Sequence, residues 1–158
     1  LFVRDDNTQS GAAIHNVTVL PLIVPSLSHA SLTNAQFKVG PTPTAIAAKA
    51  SLGTSFKFTL AAPAKLTIAI THSASGVRRG KRCVAASRKR SSHGKRCSRS
   101  VKAGTLTRSN LQPGSNTIAF SGRIGRRALR PGRYKAILSA GNAKGKSKPV
   151  SIAFTVVR

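Results

Sequence analysis

Residues 54–71 read TSFKFTLAAPAKLTIAIT, and the reading of this stretch decides the fold. Phe56, Phe58 and Leu60 alternate with Ser55, Lys57 and Thr59, and then Leu66, Ile68 and Ile70 alternate with Lys65, Thr67 and Thr71. A period of two sends every second side chain to the same face of an extended chain, so each half predicts a strand with one apolar and one wet face. Ala61 to Ala64 joins the halves, and its Pro63 suits a short turn. Two neighbouring strands packed on a core from one side follow.

The signature recurs on both sides. C-terminally, Leu106 opens a weaker strand in GTLTRSNL that ends at the turn Gln112-Pro113-Gly114-Ser115, and NTIAFSG puts Ile118 and Phe120 on one face. Arg123 to Arg130, RIGRRALR, reads as a basic connection. Tyr134, Ala136 and Leu138 then alternate, a turn falls at Gly141 to Gly145, and Val150, Ile152, Phe154 and Val156 form a last strand. N-terminally, a strand is expected over Ala35 to Val39, whereas PTPTAIAAKASLG reads as a loop or bent edge because Pro43 and the flanking glycines oppose a helix. Pro21 and Pro25 make residues 21–31 an extended linker or edge segment. Residues 1–20 alternate on either side of a turn-rich centre from Asp5 to Gly11, with Ile14, Val17 and Val19 inward, which is a β-hairpin pattern. Short strands and frequent turns predict an all-β antiparallel sandwich over 32–158.

A chain of 158 residues holds one ordinary domain and an appendage. With no Trp or Met and one Tyr, its core must come from aliphatic residues and six Phe. The most apolar run, VTVLPLIV from Val17 to Val24, is short and broken by Pro21, so no transmembrane segment is expected. Opening at Leu1 without a charged-then-apolar leader, the chain reads as a mature product or a piece of a longer one.

Charge is the strongest compositional fact. The formal net charge is +25, and the only acids are Asp5 and Asp6. Such a chain attracts polyanions without a dedicated site, although the same charges also suit a solvated surface with no partner. Paired-acid glycosidase chemistry and side-chain Ca²⁺ or Mg²⁺ cages need carboxylates that residues 7–158 lack. A Ser-His-Asp triad could draw only on Asp5 or Asp6. His15, His29, His72 and His93 share no spacing, and no G-x-S-x-G or phosphate-loop glycine pattern occurs. No catalytic, cofactor-binding or metal-binding residue is assigned, and an enzyme is not expected.

One stretch concentrates the charge: Arg78 to Lys102, RRGKRCVAASRKRSSHGKRCSRSVK, with both cysteines and no aromatic residue. It reads as a basic loop over 76–102 between two strands. Its candidate polyanion contacts are Arg78, Arg79, Lys81, Arg82, Arg88, Lys89, Arg90, Lys95, Arg96 and Arg99. Cys83 and Cys97 read first as a disulfide stapling a loop that its own charge pushes open. Two free thiols activated by neighbouring cations, or zinc with His93 and His72, are the other readings; the spacing matches no zinc-finger pattern. Without aromatics to stack on bases, or an uninterrupted helix for the major groove, specific nucleic-acid readout is not expected. Phosphate or sulfate neutralisation with strong salt dependence is.

Three resemblances add to this reading. Val3-Arg4-Asp5-Asp6-Asn7 followed by Val17-Thr18-Val19 resembles the closing hairpin of a PKD-type immunoglobulin-like domain, which implies that residues 1–20 end a truncated neighbour. Leu129-Arg130-Pro131-Gly132-Arg133-Tyr134 resembles the corner before the penultimate strand of immunoglobulin and fibronectin type III folds, which implies that the Tyr134 hydroxyl bonds back to the corner backbone. The G-R-x-x-L-x-P-G-x-Y run of Gly125 to Tyr134 and the A-x-N-A-x-G-x-S run resemble C-terminal β-sandwich modules of large secreted bacterial proteins. The mid-sandwich Trp is missing and the cysteines do not sit at the immunoglobulin inter-sheet spacing, so an antibody-type domain is excluded.

The expectation is a noncatalytic, secreted or surface-displayed immunoglobulin/fibronectin III-like module for spacing, display or adhesion, alongside further domains of a longer chain. Its partners would be cell-wall teichoic or uronic polymers, extracellular DNA or anionic lipid head groups. The alternatives are a cytosolic nucleic-acid-binding protein with reduced cysteines, and an accessory domain of a secreted enzyme.

Overall fold

Both halves of the 54–71 stretch are strands in the structure, a computed structural model that describes residues 23–41, 52–86 and 94–158. In chain order the described residues form β1 (Leu27–Leu32), β2 (Gln36–Lys38), β3 (Thr54–Leu60), β4 (Ala64–Arg79), β5 (Arg82–Val84) and β6 (Arg96–Leu111). There follow β7 (Gly114–Phe120), β8 (Arg123–Ile124), β9 (Arg127–Ala128), β10 (Gly132–Asn142), β11 (Gly145–Lys146) and β12 (Val150–Val157). No helix occurs among them, and so none long and apolar enough to cross a membrane. The expected hairpin over 1–20 and the Pro-rich loop over 42–51 lie outside the described residues.

Three strands, ordered β1-β3-β7, make an antiparallel sheet, with Phe56 opposite Ile118 and Thr54 opposite Phe120. A larger sheet runs β2-β12-β10-β4, with β6 and β5 also on β4 and β11 on β10; only the β2–β12 pairing is parallel. Alternation fixes which faces meet. Phe56, Phe58, Leu60, Ile118 and Phe120 from the small sheet share one buried cluster with Leu66, Ile68, Ile70, Ala136, Leu138, Phe154 and Val156 from the large one. The described residues are therefore all-β, with two antiparallel-dominated sheets enclosing a common core, consistent with a β-sandwich. Phenylalanines fill the centre that Trp would otherwise occupy. Phe120 meets Phe154 edge-on at 6.1 Å between ring centroids, and Phe37 stacks on Phe154 at 5.5 Å. Such pairs add about 1 kcal/mol each beyond their burial.

Two expectations need correction. Of the linker or edge segment expected over 21–31, the linker alternative does not hold for the described part: β1 is an edge strand that pairs with β3 from Leu27 onward, and Leu27, Ala30 and Leu32 pack on the core. The register shifts between Ser28 and Ser31, with His29 at φ 50°, so an extra residue interrupts the period of two that would have marked a strand. The second correction concerns the basic loop over 76–102. Much of it is strand, because β4 and β6 run for 16 residues each and stay paired from Ala64–Leu111 out to Val77–Arg96. Beyond His72 this ribbon has left the core, so no apolar face is required and no alternation records it. The basic connection Arg123–Arg130 likewise contains a small hairpin, β8 on β9.

Candidate functional site

The ribbon's outer end is built as follows. β4 reaches Arg79 and turns through Gly80 and Lys81 into β5, with Arg79 directly opposite Arg82. Gly80, at φ 56°, takes the first central position of a two-residue turn, where a positive φ is required. Val84 and Arg96 both pair with Val77, so β5 and β6 flank β4. The Arg78 amide also donates to the Lys95 carbonyl at 2.9 Å, tying the return of the chain to β4.

Cys83 on β5 and Cys97 on β6 close this end as a disulfide, with sulfurs 2.04 Å and Cα atoms 6.0 Å apart. Gly76 lies opposite Cys97 on the same face. A Cβ there would stand 2.9 Å from the Cys83 sulfur and would collide with the Val84 carbonyl, so only glycine lets the bridged strands close over β4. With the sulfurs bonded to each other, neither serves as a thiolate ligand. Among the described residues, no group of three or more His, Cys, Asp or Glu could hold a metal ion.

Register sorts the cations by face, because directly paired side chains share one. Arg79, Arg82 and Arg96 stand on the Val77 face, whereas Arg78 and Arg99 stand with the disulfide on the other. Arg78, Arg79, Lys81, Arg82, Lys95 and Arg96 are all exposed. Arg99 is half-buried nearer the sandwich, and its Nε is enclosed without a hydrogen-bond partner. The structure thus gathers seven of the ten proposed contacts on the ribbon; Arg88, Lys89 and Arg90 lie outside the described residues, as does His93. Like charges directly opposite each other, as at Arg79–Arg82, oppose pairing. A covalent bridge beside them offsets that repulsion.

Where the ribbon meets the sandwich, Tyr134 pairs with His72 on one side and Phe154 on the other. Its hydroxyl donates to the Arg130 carbonyl at 2.8 Å, the corner bond that the Leu129–Tyr134 signature implies. Its ring stacks on Phe154 at 5.5 Å, and His72 packs edge-on at 5.8 Å. Tyr134 is thereby a structural residue.

Sequence reasoning missed the cations flanking this junction, Arg127, Arg130, Arg133 and Lys135, because they are spread over β9, the turn after it and β10, outside the conspicuous run. Their signal was available: none has a carboxylate near it in sequence, and strand alternation puts Arg133 and Lys135 on the wet face. No family model, no curated protein and no solved structure matches the chain. The PKD-type and immunoglobulin-like resemblances rest on the residues quoted for them.

Proposed function

We propose that this chain is a noncatalytic β-sandwich module, secreted or displayed at a cell surface, that attaches to polyanions through its basic ribbon. One observation carries the proposal. The described residues contain no carboxylate side chain, yet six exposed cations crowd one disulfide-clipped projection whose only buried apolar side chain is Val77 and which lies outside the main core cluster. A projection held together against its own repulsion suits an external anion, because the described residues supply no carboxylate side chain to neutralise it. The absence of acids from residues 7–158 argues against hydrolytic chemistry and for a spacing, display or adhesion role.

The finer architecture belongs to the same proposal. An immunoglobulin/fibronectin III-like sandwich is supported by the Tyr134 corner bond and by two sheets around one core. The disulfide supports an oxidising location, since cytosolic thiols are kept reduced. Residues 1–20 would close a preceding PKD-type domain of a longer chain.

Affinity for a teichoic-type polyphosphate, measured across a salt series, tests the attachment. Log affinity should fall steeply and linearly with log salt, and replacing Arg78, Arg79, Arg82 and Arg96 by Ser should flatten the slope by about one for each lost phosphate contact. An affinity indifferent to salt, or a slope unmoved by the four replacements, would assign these charges to a solvated surface.

A further inference from the structure

A second cationic feature lies at the base of the ribbon, on the outer face of the large sheet. Lys135, Thr71 and Lys102 form one rung across β10, β4 and β6. Ser73 faces Ser100 on the next rung, with Arg133 on the same face of β10, and Ser75 faces Ser98 on the rung after. A cleft of about 340 Å³ opens over Thr71, Ser73, Ser98, Ser100, Arg133 and Lys135. Its floor is made of hydroxyls and its β10 rim of the cations Arg133 and Lys135. Neighbouring strands lie about 4.8 Å apart, so the β10 and β6 rims stand about 10 Å apart. A sugar ring has room between them.

We propose that this cleft is a subsite for an acidic polysaccharide, with a sugar ring over the serine floor and its sulfate or carboxylate group against Arg133 and Lys135. The inference rests on the polyanion reading of the ribbon and adds a ligand class to it. Serine and threonine hydroxyls both donate and accept, which matches the hydroxyls of a sugar, whereas a phosphodiester backbone offers only acceptors. The Ser73 and Ser98 hydroxyls hydrogen-bond each other across β4 and β6, so the floor is already ordered as a surface that both donates and accepts.

Nucleic acid fits less well. Base stacking needs an open aromatic face. Tyr134 is stacked on Phe154, and Phe37, Phe56, Phe58, Phe120 and Phe154 are buried. Among the described residues no Phe ring is left free for a base, and one face of Tyr134 is already taken.

The experiment compares the whole chain's affinity for a sulfated oligosaccharide, an unsulfated polyuronate and duplex DNA of matched charge, at physiological salt. Ser73→Ala with Ser100→Ala leaves the charge unchanged and should weaken binding of at least one of the two glycans about tenfold, the loss of one to two hydrogen bonds, while DNA affinity stays the same. The glycan more affected by Arg133→Ser with Lys135→Ser identifies sulfate or carboxylate as the held group. Unchanged glycan affinity in the serine variant, or equal weakening for DNA, would overturn the subsite and leave the ribbon proposal standing. If no polyanion binds with a salt-dependent affinity, both fall. These side chains are half-buried or exposed, and circular dichroism of each variant checks that the fold is retained.

Discussion

Tyr134 is the residue through which the open end of the sandwich is held together. Its ring continues the aromatic stack of Phe37 and Phe154 to the sheet's end, and its hydroxyl reaches four residues back to the Arg130 carbonyl. Tyr134→Phe keeps the ring and removes the bond, so urea denaturation should show a loss of about 1 kcal/mol at neutral pH. The same residue predicts an alkaline effect. Burial pushes the phenol above its ordinary value of 10.0, and the Arg130 charge opposes that shift in part. The folded protein then keeps a proton that the unfolded chain gives up. Tyr134's contribution is complete below the ordinary value and is lost as the pH rises through the folded one. The stability gap between the native protein and Tyr134→Phe should therefore narrow above about pH 10. With no other Tyr and no Trp in the chain, tyrosinate absorbance follows the group directly. A phenol titrating at or below its ordinary value would refute the effect.

The ribbon formed by β4, β5 and β6 divides into two parts with different supports. Its inner half contributes Leu66, Ile68 and Ile70 to the core; its outer half is held by ladder bonds and by Cys83–Cys97. Cross-linking a loop of this size contributes about 3 kcal/mol in the chain-entropy model. Cys83→Ser with Cys97→Ser should release that stabilisation locally. Amide exchange should accelerate across 76–84 and 96–100, while the amides of β3, β7 and β10 keep their protection. Loss of protection throughout the sandwich would show instead that the bridge supports the core. The same division explains what the sequence could reveal. Where a strand has one buried face, as in Phe56–Leu60, Leu66–Ile70 and Phe154–Val156, the alternation is written into the residues and reads correctly. Where strands leave the core or carry a bulge, it is not. The Ser73–Ser75 segment is small because neither of its faces packs on the core, with burial returning only locally at Gly76 and Val77, β1 is disguised by the extra residue at His29, and β6 shifts register near Ala103. The candidate cations were legible as a run, but their division between two faces and the cleft at Arg133 and Lys135 depend on pairing across β10, β4 and β6, which no local pattern encodes. One local signal was passed over: Arg79-Gly80-Lys81-Arg82 is a two-residue turn with glycine at its first centre.

For the whole molecule, charge and stability come from separate sources. The core is hydrocarbon, with Phe56, Phe120, Leu66, Ile70 and Leu138 fully enclosed, and each such side chain contributes about 2 kcal/mol by its burial. The 27 cations face two acids in the entire chain, both before Asn7, so the described residues hold no side-chain ion pair to break. Acid unfolding in most proteins reflects carboxylates that must be protonated out of favourable contacts. Here only Asp5, Asp6 and a terminal carboxylate are available for that. The thermal midpoint at physiological salt should therefore change little from neutral pH to about pH 3, followed by calorimetry. Lowering the salt should act the other way. Screening reaches only about 10 Å at 0.1 M and about 30 Å at 0.01 M, so dilution lets the ribbon's cations repel one another and those of the sandwich, and the midpoint should drop. A steep acid transition combined with indifference to salt would mean that Asp5 and Asp6 anchor the fold through ion pairs. The hydrocarbon core would then not be the main source of its stability.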